Sequence, residues 1–274
     1  MIPFLREHAP AADRATHMVP EVEAALHKAG LFRYHQPKAW GGMELDFVAY
    51  VDIPEMLARG DCSVWDEPFY AAYLAATGID HPMRDEVIAA GEADAGRVAA
   101  ACLGPVPDGK EHWYQKHMTL HMIPGFDRGF MRELTNVFLI RHPARVIASY
   151  TKKREHPTLA DIGFVQQAEL FDQVAGWTGT APMVIDSADI RATPRETLSR
   201  LCAALNIPFT DRMLRWPAGP KPFDGVWAPH WYNAVHASTG FDEPEADLPI
   251  LSPEFQRLCD QALPHYKRLE RLKL

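Results

Sequence analysis

The run Asn136-Val137-Phe138-Leu139-Ile140 is apolar, partly β-branched, and stops abruptly at Arg141-His142-Pro143. A buried parallel strand reads this way, because both of its faces are covered and no polar alternation is needed. Proline is at home in the first turn of a helix, whose leading N–H groups have no intrahelical partner, so Pro143 marks where a helix starts. A strand that feeds directly into a helix is half of a strand-helix-strand unit, and this feature commits the chain to an α/β fold with a parallel sheet flanked by helices.

Other segments agree. Ser63-Val64-Trp65, Trp113 to Met118 and Pro182-Met183-Val184-Ile185 are further strand candidates, and Pro194 to Leu205 is a helix with Thr193 placed to cap it. Trp216 to Gly240, rich in Pro, Gly, Trp and His, reads as a long loop. Upstream, from Ala11 to about Arg59, the pattern is helical: Pro20 to Gly30 has proline at its start, acids in its first turn, Lys28 near its end and glycine as its stop. With 274 residues, 47% hydrophobic and 23% charged, the chain has enough apolar surface for a full core, and disorder and coiled coil are excluded.

A net charge of −8 leaves no overall positive field for nucleic acid, so any anionic ligand is held by a local cluster. The four cysteines are far apart, without metal-ligand or C-x-x-C spacing, and read as reduced packing residues. The N-terminus lacks the pattern of a secretory signal, and no apolar run is long enough to span a bilayer. The expectation is a cytoplasmic protein with neither membrane nor nucleic-acid partners and no metal.

Arg141 at a strand's C-terminal end, with Ser149 on the second turn of the helix that follows, puts a guanidinium and a hydroxyl near the sheet edge where α/β folds bind ligands. Those groups suit a phosphate. By spacing alone, Arg141 in an ordinary ion pair and Ser149 as an ordinary helix residue serve equally well.

Arg141, Pro143 and Ser149 in this string resemble the 3′-phosphate motif of sulfotransferases. Ser63 to Tyr70, Tyr114 to Met122, Val184 to Ile190 and Lys221 to Trp231 are similar to further landmarks of the bacterial sulfotransferase-like proteins, in the same order. The resemblance runs from about Arg59 to Leu274. It implies a fold like that of P-loop NTPases and transfer of a sulfuryl group from 3′-phosphoadenosine 5′-phosphosulfate to a hydroxyl or amine of a small molecule. Arg141 and Ser149 would hold the 3′-phosphate and Lys116 would neutralise charge, with His117, His121 or Glu67 as base. Along one strand His117 and His121 fall on the same face and both can line a site, although a satisfied core histidine is an equal alternative. Trp227, His230, Trp231 and Tyr232 suggest an aromatic lid, or else packing anchors.

One part of that pattern is missing. No G-x-x-x-x-G-K-[ST] occurs, and no Ser/Thr-rich glycine loop precedes the strand at Val64. In its place stand Asp13-Arg14-Ala15, Val19 to Arg33 and Gln36 to Asp46, which resemble the first helices of acyl-CoA dehydrogenases and flavin-dependent hydroxylases, without the domains that bind flavin. No flavin is expected. The reading is a fusion: an N-terminal helical segment, residues 1–60, replacing the first strand and phosphate loop of an α/β domain over residues 61–274. Ala49 to Ile53 as a surrogate strand, a rearranged sheet and a homo-oligomer are three ways to cover the gap. Function then divides between a sulfotransferase, a catalytically inactive binding protein and, more remotely, a flavin-dependent fragment.

Overall fold

The computed structural model describes residues 62–152, 156–241 and 244–274. The helical segment, the surrogate strand at Ala49 to Ile53 and the expected junction near Asp61 lie outside the described residues. By its contacts the chain divides between Met43 and Glu44, and every described residue belongs to the second unit.

In chain order the elements are β1 (Cys62–Asp66), α1 (Tyr70–Thr77), α2 (Arg84–Ala90), α3 (Ala95–Cys102), β2 (His112–Lys116), β3 (Val137–Ile140), α4 (Pro143–Tyr150), α5 (Phe164–Thr178), β4 (Met183–Asp186), α6 (Ser187–Ala192), α7 (Pro194–Leu205), α8 (Ala228–Trp231), α9 (Asn233–Ala237) and α10 (Pro253–Glu270). The four strands fall where the sequence places them. They form two parallel pairs among the described residues: β1 with β2, from Cys62 opposite His112 to Asp66 opposite Lys116, and β3 with β4, from Val137 opposite Met183 to Ile140 opposite Asp186. The chain's last residues join the second pair, where Leu274 N–H donates to the Val184 carbonyl at 2.9 Å.

The strand expected to reach Met118 ends at Lys116. Its partner β1 stops at Asp66, and the last ladder bond runs from Glu67 N–H to the Lys116 carbonyl at 2.9 Å; beyond it the chain turns into a 3₁₀ turn, Thr119–His121. His117 and His121 therefore do not share a strand face. Thr193 stands at the N-terminal boundary of α7 but makes no capping bond, because its hydroxyl pairs with Thr197 Oγ1 at 3.1 Å. At α4 the expectation holds: Pro143 occupies the first turn and His142 Nδ1 accepts from Ala144 N–H at 3.2 Å.

Strand periodicity explains how the β3 and β4 pair is covered on both faces. Phe138, Ile140 and Val184 point into a core built with Ile147 of α4, Phe171 of α5 and Leu258 and Tyr266 of α10. Val137, Leu139 and Ile185 point the other way, against Leu198, Leu201 and Cys202 of α7. All four cysteines are buried and none is in a disulfide, as their spacing implies. The segment from Trp216 to Gly240 is no open loop: it contains α8 and α9, and its ends are tied by Trp216 N–H to the Thr239 carbonyl at 3.1 Å and Trp216 Nε1 to Ser238 Oγ at 2.9 Å.

Candidate functional site

A cavity of about 490 Å³ lies between the two strand pairs. Five consecutive residues of β2, His112 to Lys116, and the run Asn136 to Leu139 around β3 all line it. Successive side chains of a strand point to opposite faces, so a cavity lined by consecutive residues meets each strand along its edge. Glu67, Lys116, His117, His121 and Ser149 share this wall; Arg141 does not. Of the four lid candidates only Trp231 lines the cavity.

The turn after β1 organises the polar end. Glu67 has a φ of 46°, a left-handed conformation that costs a residue with a Cβ about 1–2 kcal/mol. That turn brings its carboxylate back over β2, where Lys116 Nζ donates to Glu67 Oε1 at 2.6 Å, to Asp66 Oδ1 at 3.0 Å and to the Tyr232 hydroxyl at 2.8 Å. All three ammonium protons are thereby used. Tyr232, completely buried, lies 2.7 Å from Asp66 Oδ2 and accepts from Trp227 Nε1 at 3.2 Å. Trp227 and Tyr232 are thus the packing anchors of α8 and α9, not a lid.

Two carboxylates around one ammonium leave an excess of negative charge out of water. Burial pushes the Asp66 carboxyl above its ordinary range, and the Glu67 charge adds to this against the pull of Lys116. For Lys116 burial alone would favour the neutral amine, but Asp66 and Glu67 outweigh it and hold the ammonium charged. Burial also raises the Tyr232 hydroxyl well above its usual value.

The two histidines lie beside this cluster in aromatic surroundings. His121 stacks on Tyr70 and Tyr73 at centroid distances of 4.6 and 4.9 Å, and His117 packs between Phe69 and Phe130, both at 5.8 Å. Burial pushes His117 down to about 4 and His121 well below its ordinary value, so both rings are neutral near pH 7. His117 Nε2 has Gln115 Oε1 at 3.3 Å, while the Nδ1 atoms of both rings are buried without a protein hydrogen-bond partner. Unsatisfied buried nitrogens on a cavity wall suit a ligand. Strand periodicity puts the two histidines on one strand, whereas they meet across a turn, and the aromatic side chains of Phe69, Tyr70, Tyr73 and Phe130 that enclose them carry no local pattern in the sequence.

Arg141 is buried elsewhere, at the C-terminal edge of β3. Its Nη2 donates to Glu245 Oε1 at 2.6 Å, and Arg145 Nε donates to Glu245 Oε2 at 2.7 Å. Arg191 Nη1, on α6, is 3.5 Å from Glu245 Oε1. Among the described residues no group of three or more His, Cys, Asp or Glu is arranged to hold a metal ion, and no helix is long and apolar enough to cross a membrane.

A family model described as "Sulfotransferase domain" matches residues 39–272. Two Arabidopsis thaliana proteins named branched-chain-amino-acid aminotransferase-like protein 2 and protein 1 are 35% identical over 212 residues and 36% identical over 211. Each alignment covers 77% of this chain but only 37% and 38% of the relatives, so the chain spans well under half the length of the curated proteins it matches. Among solved structures, the sulfotransferase domain from the curacin biosynthetic pathway is 18% identical, with a TM-score of 0.36, covering 70% of this chain and 77% of that one. With its match extending over most of the sequence, the chain belongs to the sulfotransferase domain family.

Proposed function

We propose that the protein transfers a sulfuryl group from 3′-phosphoadenosine 5′-phosphosulfate to a hydroxyl or amine of a small molecule bound in the cavity between the strand pairs. The observation that carries this reading is the pair of buried, neutral imidazoles, His117 and His121, whose Nδ1 atoms have no protein partner on the wall of a cavity of about 490 Å³. That volume lies within the roughly 300–1,000 Å³ usual for small-molecule sites. Transfer forms an acceptor O–S or N–S bond, breaks the bond from sulfur to the phosphate bridge oxygen, and releases the acceptor's proton. A neutral imidazole accepts such a proton, and Glu67, on the same wall, offers a carboxylate. Holding donor and acceptor in line supplies much of the remaining acceleration.

Support for the donor differs between its two ends. Three clustered guanidinium groups suit the 3′-phosphate, with Arg141 among them and Ser149 on the cavity wall. For the 5′-phosphosulfate no phosphate loop is legible, and the stretch before β1 where one belongs lies outside the described residues. Transfer of radiolabelled sulfate to a panel of alcohols and amines tests the proposal. Label should reach at least one acceptor, and His121→Asn or His117→Asn should slow transfer by about 10²- to 10⁴-fold, the usual contribution of a general base. Transfer unaffected by both substitutions would remove the histidines from the chemistry.

A second reading, an inactive binding protein, is favoured by one observation: Lys116 spends all three protons on Asp66, Glu67 and Tyr232, so its charge is already neutralised within the protein. It predicts binding of adenosine 3′,5′-bisphosphate in calorimetry with no transfer to any acceptor.

A further inference from the structure

We infer that Gln115, anchored on the last carbonyl of α3, is a positioning residue that holds His117 in the tautomer with hydrogen on Nε2, leaving Nδ1 as the nitrogen that takes the acceptor's proton. The tautomer follows from geometry within the protein; its use in catalysis rests on the proposed sulfuryl transfer.

Three groups stand in a row. Cys102 closes α3, and the last four carbonyls of a helix have no intrahelical partner. Gln115 Nε2 donates to the Cys102 carbonyl at 2.8 Å, and Gln115 Oε1 is 3.3 Å from His117 Nε2. The carbonyl decides which way the amide faces, because the reversed amide would set its own oxygen against the Cys102 oxygen. With Oε1 towards the imidazole, His117 Nε2 must be the donor, since an amide oxygen only accepts. Burial keeps His117 neutral near pH 7, and a neutral imidazole carries one hydrogen, so Nδ1 holds the lone pair. Turning the imidazole over would put a ring C–H against Gln115 Oε1 and forfeit the bond.

The surroundings hold this arrangement in place. Gln115 lies in β2 and His117 just past its end, and residues two apart on an extended chain fall on one side, which brings amide and imidazole together. Phe69 and Phe130 flank the ring, each at a centroid distance of 5.8 Å. Gln115 and His117 both line the cavity, and His117 Nδ1 has no protein partner. His121 has nothing equivalent to Gln115: among the described residues neither of its nitrogens is hydrogen-bonded within the protein, so no contact sets its tautomer. Of the two imidazoles, His117 is the one prepared as a base.

Long-range proton–nitrogen NMR on the full chain carrying isotope-labelled histidine shows which ring nitrogen bears hydrogen, and His117→Asn identifies the signals. His117 should carry its hydrogen on Nε2 in the unsubstituted protein; hydrogen on Nδ1, or an even mixture, overturns the inference. Gln115→Met, of similar length but without the amide oxygen, should move the ring towards the other tautomer or a mixture. A merely structural Gln115 would lower stability on substitution and leave the tautomer where it was, and that result in a folded Gln115→Met protein overturns the inference as well. In the sulfate-transfer assay Gln115→Met should lower kcat by about two- to tenfold, the weight of one neutral hydrogen bond, with little change in the acceptor's KM. His117→Asn should slow transfer more than His121→Asn, and the reverse order takes the role of base away from His117. The two readings fail separately. If the tautomer is as stated and responds to Gln115→Met, yet no acceptor is labelled, the positioning stands and the transfer reading falls. If acceptors are labelled but the tautomer ignores Gln115, transfer stands and the positioning falls.

Discussion

Tyr232 shows how much one hydroxyl can organise. It stands 2.8 Å from Lys116 Nζ, 2.7 Å from Asp66 Oδ2 and 3.2 Å from Trp227 Nε1, so it ties α8 and α9 to the ends of both β1 and β2. Tyr232→Phe keeps the ring's packing and leaves one ammonium proton, one indole N–H and part of a carboxylate unsatisfied in a dry site. A loss of about 1–3 kcal/mol in urea unfolding is expected, the usual cost of stranding a buried polar partner. Lys116→Met should cost more, about 3–5 kcal/mol, because it strips the counter-charge from two buried carboxylates. Little change in either variant would mean that water reaches the cluster. None of this was legible in the sequence: Tyr232 lies 166 positions from Asp66, and no local pattern signals a contact across that separation. Arg141 was legible only in part. Its place at a strand's end suggested an anion, and the structure supplies one, from a glutamate in an unremarkable surface segment.

Elements were easier to read than contacts. Strands β1, β3 and β4 stood out as short, largely apolar runs and β2 by its aromatic pair Trp113-Tyr114, and α4 and α7 because proline marks their first turns. Helices α1 and α5 carried no comparable signal at their starts, where no proline stands and no side chain caps the first turn. The start of α5 depends on Gly163 instead, at a φ of +69°, where an added Cβ would stand 2.7 Å from Thr119 Oγ1. Gly163→Ala should therefore lower stability by about 1–2 kcal/mol through the left-handed backbone alone, and should also disturb Thr119 and Leu120, which line the cavity. Gly176 provides the contrast within the same helix: its backbone is helical and a Cβ there meets nothing within 4 Å. Gly176→Ala should raise stability by roughly 0.5–1 kcal/mol, the ordinary difference between these residues in a helix interior. Thermal unfolding of the two variants side by side checks the pair, and a stabilising Gly163→Ala would contradict the tight approach of α5 to the turn at Thr119.

Over the whole molecule, the buried titratable groups set how stability depends on pH, and they oppose one another. His117 is pushed down to about 4 from an ordinary 6.5, and His121 is shifted in the same direction, so the unfolded chain binds more protons than the folded one between these values. Stability from the histidines is present above about pH 6.5 and is lost as pH falls towards 4; at about 1.36 kcal/mol per pH unit, His117 alone accounts for up to about 3 kcal/mol. Asp66 acts the other way: its raised value means the folded protein keeps a proton that the unfolded chain has released, so its contribution is present at low pH and fades as pH rises through that value. The two effects overlap in the unsubstituted protein, and a single melting curve cannot separate them. Subtraction can. His117→Gln keeps a polar side chain of similar reach between Phe69 and Phe130 but cannot take up a proton, so its melting temperature relative to the unsubstituted protein should climb as pH is lowered from 7 to 5. Asp66→Asn should diverge in the opposite sense. Parallel curves for His117→Gln and the unsubstituted protein across that range would show that His117 titrates as it does in water, and that water reaches the ring between Phe69 and Phe130.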